Sequence, residues 1–190
     1  MNELDLPPFS LDVETLDLGP GVKAIGIELI ETESREPVRG KDAIEIWSEL
    51  FPALIAQEPF AVDFFSHLDR VRDFCSARKI DFRESAQRCI VVPQPTHEQL
   101  RDLLERFEGE TFGLRAGEAA KSEDAALEGA LSKRGLDAYQ AAYTRYTFCV
   151  VCELEDGWLT ILSETLWPSE VIRRVRPAVT PFDVHIARPH

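Results

Sequence analysis

No run of about 18 apolar residues occurs anywhere in the chain, so no segment is expected to cross a membrane as a helix. The first ten residues, MNELDLPPFS, are acidic and lack both a basic start and an apolar stretch, so no secretory signal is expected. Cysteine is sparse, four in 190 residues, and without a signal these read as reduced thiols in a cytoplasmic protein. Cations are few as well: 21 Lys and Arg stand against 34 Asp and Glu, a net charge of −13. Such a surface repels phosphate backbones and anionic headgroups, so nucleic-acid and membrane partners are not expected. No glycine pattern for cradling a nucleotide phosphate, no nucleophile-elbow G-x-S-x-G and no paired-histidine metal motif is present, so neither cofactor nor metal is predicted.

The chain does have ordinary globular content. At 44% apolar and 190 residues it is long enough to bury a sizeable core in one domain. Residues 1–8, with paired prolines, are expected to form a flexible tail, and residues 9–190 a single α+β domain. The negative charge is uneven: the first 58 residues hold 13 acids and four bases, leaving a net −4 for the rest.

The clearest local pattern is Tyr143 to Thr165, YTRYTFCVVCELEDGWLTILSET. Asp156-Gly157 between apolar runs suits a two-residue hairpin turn, because both central positions of that turn need positive φ. That turn would place Cys152 opposite Ile161 and Leu154 opposite Leu159. One face would carry Tyr146, Phe148, Val150, Cys152 and Leu154 with Leu159, Ile161 and Ser163, and it is nearly all apolar. The other would mix Cys149, Val151, Glu153 and Glu155 with Trp158, Thr160, Leu162 and Glu164.

A second hairpin is expected near the start. Phe9, Leu11 and Val13 alternate with polar residues, Leu16 and Leu18 follow in a shifted phase that suggests a bulge near Thr15, and Val22–Glu31 returns with Ile25, Ile27 and Leu29 inward. A helix from an Asp42 N-cap places Ile44, Trp47, Phe51 and Leu54/Ile55 in one stripe, with Pro52 expected to kink or split it. Pro59 is expected to open a central core helix with Phe60, Phe64, Leu68, Val71 and Cys75 on one side. Arg88–Val92 reads as a short strand. Thr96-x-x-Gln99 is a capping box opening a helix with Leu100, Leu103, Leu104 and Phe107 buried. Thr111–Glu118 reads as a glycine-containing loop, Ser122–Gly135 as a weak helix, Pro168–Val175 as a short helix, and Phe182–Ala187 as an edge strand bracketed by prolines. Strands arriving as hairpins point to an α+β fold: a mainly antiparallel, hairpin-rich sheet with helices packed on one face and the other face partly open.

The candidate chemistry is thin. Cys149 and Cys152 lie three apart on a strand, which separates their sulfurs, so they read as packing residues rather than a redox or zinc pair. His67 one helical turn after Asp63 would allow a carboxylate-oriented imidazole, although a partly buried histidine satisfied by its neighbours explains it as simply. Glu153 and Glu164 could serve in acid–base work, or merely solubilise an exposed sheet face. Arg173, Arg174 and Arg176 suit the end of a helix. The expectation is therefore a non-catalytic cytoplasmic binding protein in an inhibitor, immunity-type or adaptor role. Its acidic surface would include Asp12, Glu14, Asp17 and Glu28, with Trp158 as an apolar contact, and would suit a basic protein partner. The alternatives are a small-molecule enzyme with a pocket between sheet and helices, using His67, Asp63, Glu153 or Glu164, and a protein that self-associates as a homodimer through the open sheet face.

Overall fold

Alternation in the first hairpin becomes β1 (Phe9–Gly19) and β2 (Val22–Glu31), antiparallel along nearly their whole length. The computed structural model describes residues 8–19, 22–85, 89–107, 111–121, 145–153, 157–179 and 184–186. The expected tail, apart from Pro8, and the expected weak helix lie outside these residues. The remaining strands are β3 (Phe60–Phe64), β4 (Arg83–Glu84), β5 (Ile90–Pro93), β6 (Thr111–Ala116), β7 (Phe148–Glu153), β8 (Trp158–Leu162) and β9 (Val184–Ile186). They form one nine-stranded sheet in the order β4-β5-β3-β6-β7-β8-β2-β1-β9, antiparallel throughout except that β9 runs parallel to β1 at the edge.

Among the described residues four α-helices cover one face: α1 (Gly40–Ile55), α2 (Leu68–Arg78), α3 (His97–Arg106) and α4 (Pro168–Val179). The fold is α+β, with the core between these helices and the side chains of Phe9, Leu11, Val13, Ile25, Ile27, Leu29, Phe64, Phe112, Leu114, Phe148, Val150, Leu159 and Ile161. The central helix is α1, which buries nine residues, Trp47, Phe51, Leu54 and Ile55 among them. Its Trp47 ring packs 6.0 Å from Phe51, and Phe51 meets Phe112 of β6 edge-on at 6.1 Å. Burying a side chain of this size is worth about 1.5–3 kcal/mol, which makes α1 the main clamp on the sheet.

Several expectations are corrected. Residues 60–64 are a strand, not the start of a helix. Phe60 and Phe64 are four apart, a spacing that a helix and a strand share, and Val62 between them also faces the core. Helix α2 begins only after His67, which sits at positive φ (47°), and it buries just Val71 and Cys75. The segment expected to be a glycine loop is β6, an interior strand whose Phe112, Leu114 and Ala116 enter the core. Pro52 neither splits nor ends α1, which runs unbroken to Ile55. Close to the C-terminal end, the ladder has few turns left for a missing donor to disrupt. The N-cap is Arg39; Asp42 lies in the first turn, where its charge still favours the helix dipole.

The β1–β2 register is regular to Asp17 and shifts only between Asp17 and Gly19, not near Thr15. Leu16 and Leu18 change phase because they pack on the sheet's second face with Ala24, Cys149 and Leu162. In the later hairpin, Cys149 pairs with Leu162, Val150 with Ile161 and Val151 with Thr160, two positions from the expected register. Residues 154–156, and so all of the expected turn but Gly157, lie outside the described residues. Gly157 lies at φ 65°, its carbonyl accepts from Leu29 N–H at 2.8 Å, and a Cβ there would meet the Val38 carbonyl oxygen at 2.1 Å. Glycine is thus required by close approach to Val38, in the segment after β2, as well as by φ. Because the shift is by two, Phe148, Val150, Leu159 and Ile161 keep the core face. Tyr146, expected on that face, precedes β7 and packs on the other side.

Candidate functional site

The face of the sheet opposite α1, α2, α3 and α4 divides into two regions by burial. Over β3, β6 and β7 it is closed. Asp63 on β3 and Arg115 on β6 are 1% and 0% exposed, charges that far from water being tolerated only when paired. The pairing is bidentate: Arg115 Nε donates to Asp63 Oδ2 at 2.9 Å and Nη2 to Oδ1 at 3.1 Å. Arg115 Nη1 also donates to the Tyr146 hydroxyl at 3.4 Å, and the guanidinium lies 5.8 Å from the Tyr146 ring centre. Burial pulls the Arg115 pKa down, yet the Asp63 charge and the hydrogen bonds to Tyr146 and Asp63 outweigh it and hold the group above its ordinary value. Cys149 sits beside this cluster, fully buried. Burial, with the nearby Asp63 charge, pushes its thiol up to about 12, so at neutral pH it is protonated and a poor nucleophile.

Over β8, β2 and β1 the same face is more open, and register alone arranges it. Trp158 on β8 stands opposite Glu28 on β2, and Glu28 stands opposite Asp12 on β1. The next row runs Thr160, Gly26, Glu14, and the one after it Leu162, Ala24, Leu16. Asp12, Glu28 and Trp158 are half-buried and Glu14 is exposed. Directly opposite side chains have Cβ atoms about 4.5–5.5 Å apart, so Asp12 and Glu28 form a like-charge pair that costs the fold free energy. Among the described residues none of Asp12, Glu14 and Glu28 has an ion-pair partner. Trp158 is held in place. Its Nε1 donates to Thr160 Oγ1 at 3.1 Å, and its ring reaches over Gly26, where an added Cβ would meet Cη2 at 2.8 Å and Cζ2 at 2.9 Å. Leu16 Cδ1 closes the same spot at 3.2 Å.

The sequence-predicted residues are therefore dispersed. Asp12, Glu14, Glu28 and Trp158 converge on one face. Asp17 does not: alternation puts it on the opposite face, where its Oδ1 accepts from Gly19 N–H at 3.0 Å and shapes the turn. Asp63 and His67 do not share a helix; Asp63 is committed to Arg115, whereas His67 is exposed. Glu153 lies at the end of β7 opposite Thr111, and Glu164 is exposed beyond β8. The C-terminal arginines do not make a free basic patch. Arg173 and Arg174 both bind Glu170, Arg174 also binds Glu58, and together Arg173 and Arg174 hold the Glu170 carboxyl down to about 2.

Arg115 and Tyr146 escaped the sequence reading, although a signal exists. Phe60–Phe64 and Phe112–Ala116 are two apolar quintets, each with one charge, of opposite sign, at an odd step from the core positions and so on the other face of its strand. Among the described residues no three His, Cys, Asp or Glu side chains gather as a metal site, and no helix is long and apolar enough to cross a membrane. Trp167, 64% exposed just before α4, lines a shallow pocket with Lys23, Ala24, Ser163 and Glu164. Compared with known proteins, the chain matches no family model, no curated protein and no solved structure.

Proposed function

We propose that this chain is a non-catalytic, cytoplasmic binding protein that docks a basic protein partner on the open face of β8, β2 and β1, in an inhibitor, immunity-type or adaptor role. The observation that carries this reading is the register row Asp12–Glu28–Trp158, with Glu14 in the adjoining row: carboxylates set side by side and left without cations of their own among the described residues. Such a pair is unfavourable in the free protein and is relieved when a cation is brought between its members. The net charge of −13 adds long-range steering toward a basic surface. The thiols of Cys75, Cys89 and Cys149, which form no disulfide, fit a reducing compartment. A second copy of the chain suits this face less well, because it would set acids against acids.

The test compares the wild type with an Asp12→Asn, Glu14→Gln, Glu28→Gln variant, each immobilised and exposed to native extract at low salt and then washed at high salt. The expected result is a basic protein retained in stoichiometric amount by the wild type, released by salt and missing from the variant. Equal retention by both proteins, or a co-purifying small molecule with no protein, overturns the reading.

A further inference from the structure

Where this chain brings a cation to an aromatic ring, the cation is its own arginine: Arg78 lies 5.5 Å from the centre of Phe74, and Arg115 and Arg145 lie 5.8 and 5.9 Å from that of Tyr146. The Arg115 case is the most complete, since one carboxylate, Asp63, grips the guanidinium from one side while the Tyr146 ring and hydroxyl take the other. Trp158 repeats this combination with one component lacking. Glu28 stands directly opposite it and Asp12 one strand further, yet among the described residues no arginine or lysine lies over its ring.

We infer that Trp158, Glu28 and Asp12 form a receptor for an arginine side chain of the partner, its guanidinium against the indole and its N–H groups directed to the Glu28 and Asp12 carboxylates. The inference rests on the basic-partner reading and names the group through which that partner is recognised. Three features support it. The indole is held before binding, with its ring over Gly26 and its N–H donated to Thr160 Oγ1, so little side-chain entropy is lost on contact. Tryptophan offers the strongest ring face for a cation, and adjacent carboxylates add charge–charge attraction in a half-buried site. Arginine fits better than lysine because a planar fork can stack on the ring and still reach a carboxylate with its edge.

The probe is a blocked peptide, Gly-Arg-Gly-Arg-Gly, titrated into full-length, nitrogen-15-labelled protein, together with its lysine, citrulline and leucine counterparts. The Trp158 indole resonance is assigned with Trp158→Phe. The arginine peptide should shift that resonance in a salt-sensitive way, the lysine peptide less, and the citrulline and leucine peptides little. Glu28→Gln and Trp158→Leu should each weaken binding by about 2- to 30-fold, the range a cation–ring contact spans, and Trp158→Phe by less. A cooperative melt, at or above the wild-type midpoint for Glu28→Gln, confirms that each variant is folded. An equal shift with citrulline, a larger one with leucine, or no shift at millimolar arginine peptide overturns the inference. Binding that the acid substitutions weaken but Trp158→Leu leaves intact overturns it too, while the basic-partner reading stands. Binding insensitive to both overturns both.

Discussion

Replacing Asp63 by Asn or Arg115 by Met tests the pairing at the closed end of the sheet. Both side chains are essentially without solvent contact and joined by two hydrogen bonds, so either substitution strands a partner in a dry environment. Removing one member of such a pair costs about 3–5 kcal/mol, because the remaining charge keeps its desolvation penalty and loses its compensation. In a chain of this length each kcal/mol lowers the melting temperature by about 2–4 °C, so each single variant should melt roughly 6–20 °C below wild type. The double variant Asp63→Leu, Arg115→Met removes both charges and should recover most of that loss, since apolar replacement of a whole buried pair is often close to neutral. Urea unfolding followed by tryptophan fluorescence, with calorimetry for the midpoints, gives the cycle. Tyr146→Phe, which removes a hydroxyl but keeps the ring, should cost only about 0.5–1.5 kcal/mol. Single variants that each lose under about 1 kcal/mol, the behaviour of an exposed pair, would refute the reasoning. So would a double variant whose loss equals the sum of the two.

Gly26→Ala should cost about 1–3 kcal/mol by driving a methyl group into the Trp158 ring, a loss that should largely vanish in a Trp158→Ala background; wild-type melting in Gly26→Ala alone would show the contact to be absent. Thr96→Ala removes the acceptor for Gln99 N–H in an intact capping box and should cost about 1 kcal/mol in urea unfolding, whereas Thr96→Asp should be nearly neutral. Cys149 has a raised thiol pKa in the fold, so the stability it contributes is fully present below the unfolded-state value of about 8.5 and is lost as pH climbs toward about 12. Cys149→Ala should therefore unfold with a shallower alkaline decline than wild type, and equal slopes would contradict the assignment. Glu28→Lys should raise the melting temperature by relieving the Asp12 repulsion while abolishing retention of a basic partner, a trade of stability against binding that a purely solubilising glutamate would not show.

The parts of the fold legible from sequence are those where one period excludes the other. The β1–β2 ribbon alternates strictly through Phe9, Leu11, Val13, Ile25, Ile27 and Leu29, and α3 carries its start signal in Thr96 and Gln99. Phe60–Phe64 misleads because it is buried on both faces: without a polar side, i and i+4 spacing cannot separate strand from helix. Residues 111–116 mislead through Gly113, read as a loop signal in what is an interior strand. Reading Asp156-Gly157 as a two-residue turn put the β7–β8 pairing two positions off. Gly157 serves its approach to Val38 and Leu29 of the neighbouring segment, a demand of tertiary structure that no hairpin rule contains. The faces nonetheless survived, because a two-residue slip leaves side-chain parity unchanged.

At the candidate site the acidic residues were legible and their arrangement was not. Asp12, Glu14, Asp17 and Glu28 look equivalent in sequence, yet pairing across β1 and β2 puts three together and sends Asp17 to the far face. Trp158 joins them only because β8 pairs with β2, which sets Trp158 opposite Glu28 across 130 positions of sequence. The same pairing logic separates the two acid-and-ring clusters by role. Asp63 meets its arginine on the strand beside it and is sealed, which serves stability. Glu28 and Asp12 face one another near the open edge with a pinned indole alongside, where folding alone gains nothing from their proximity. On the basic-partner proposal, a cation from outside the chain neutralises the like-charge contact at that position.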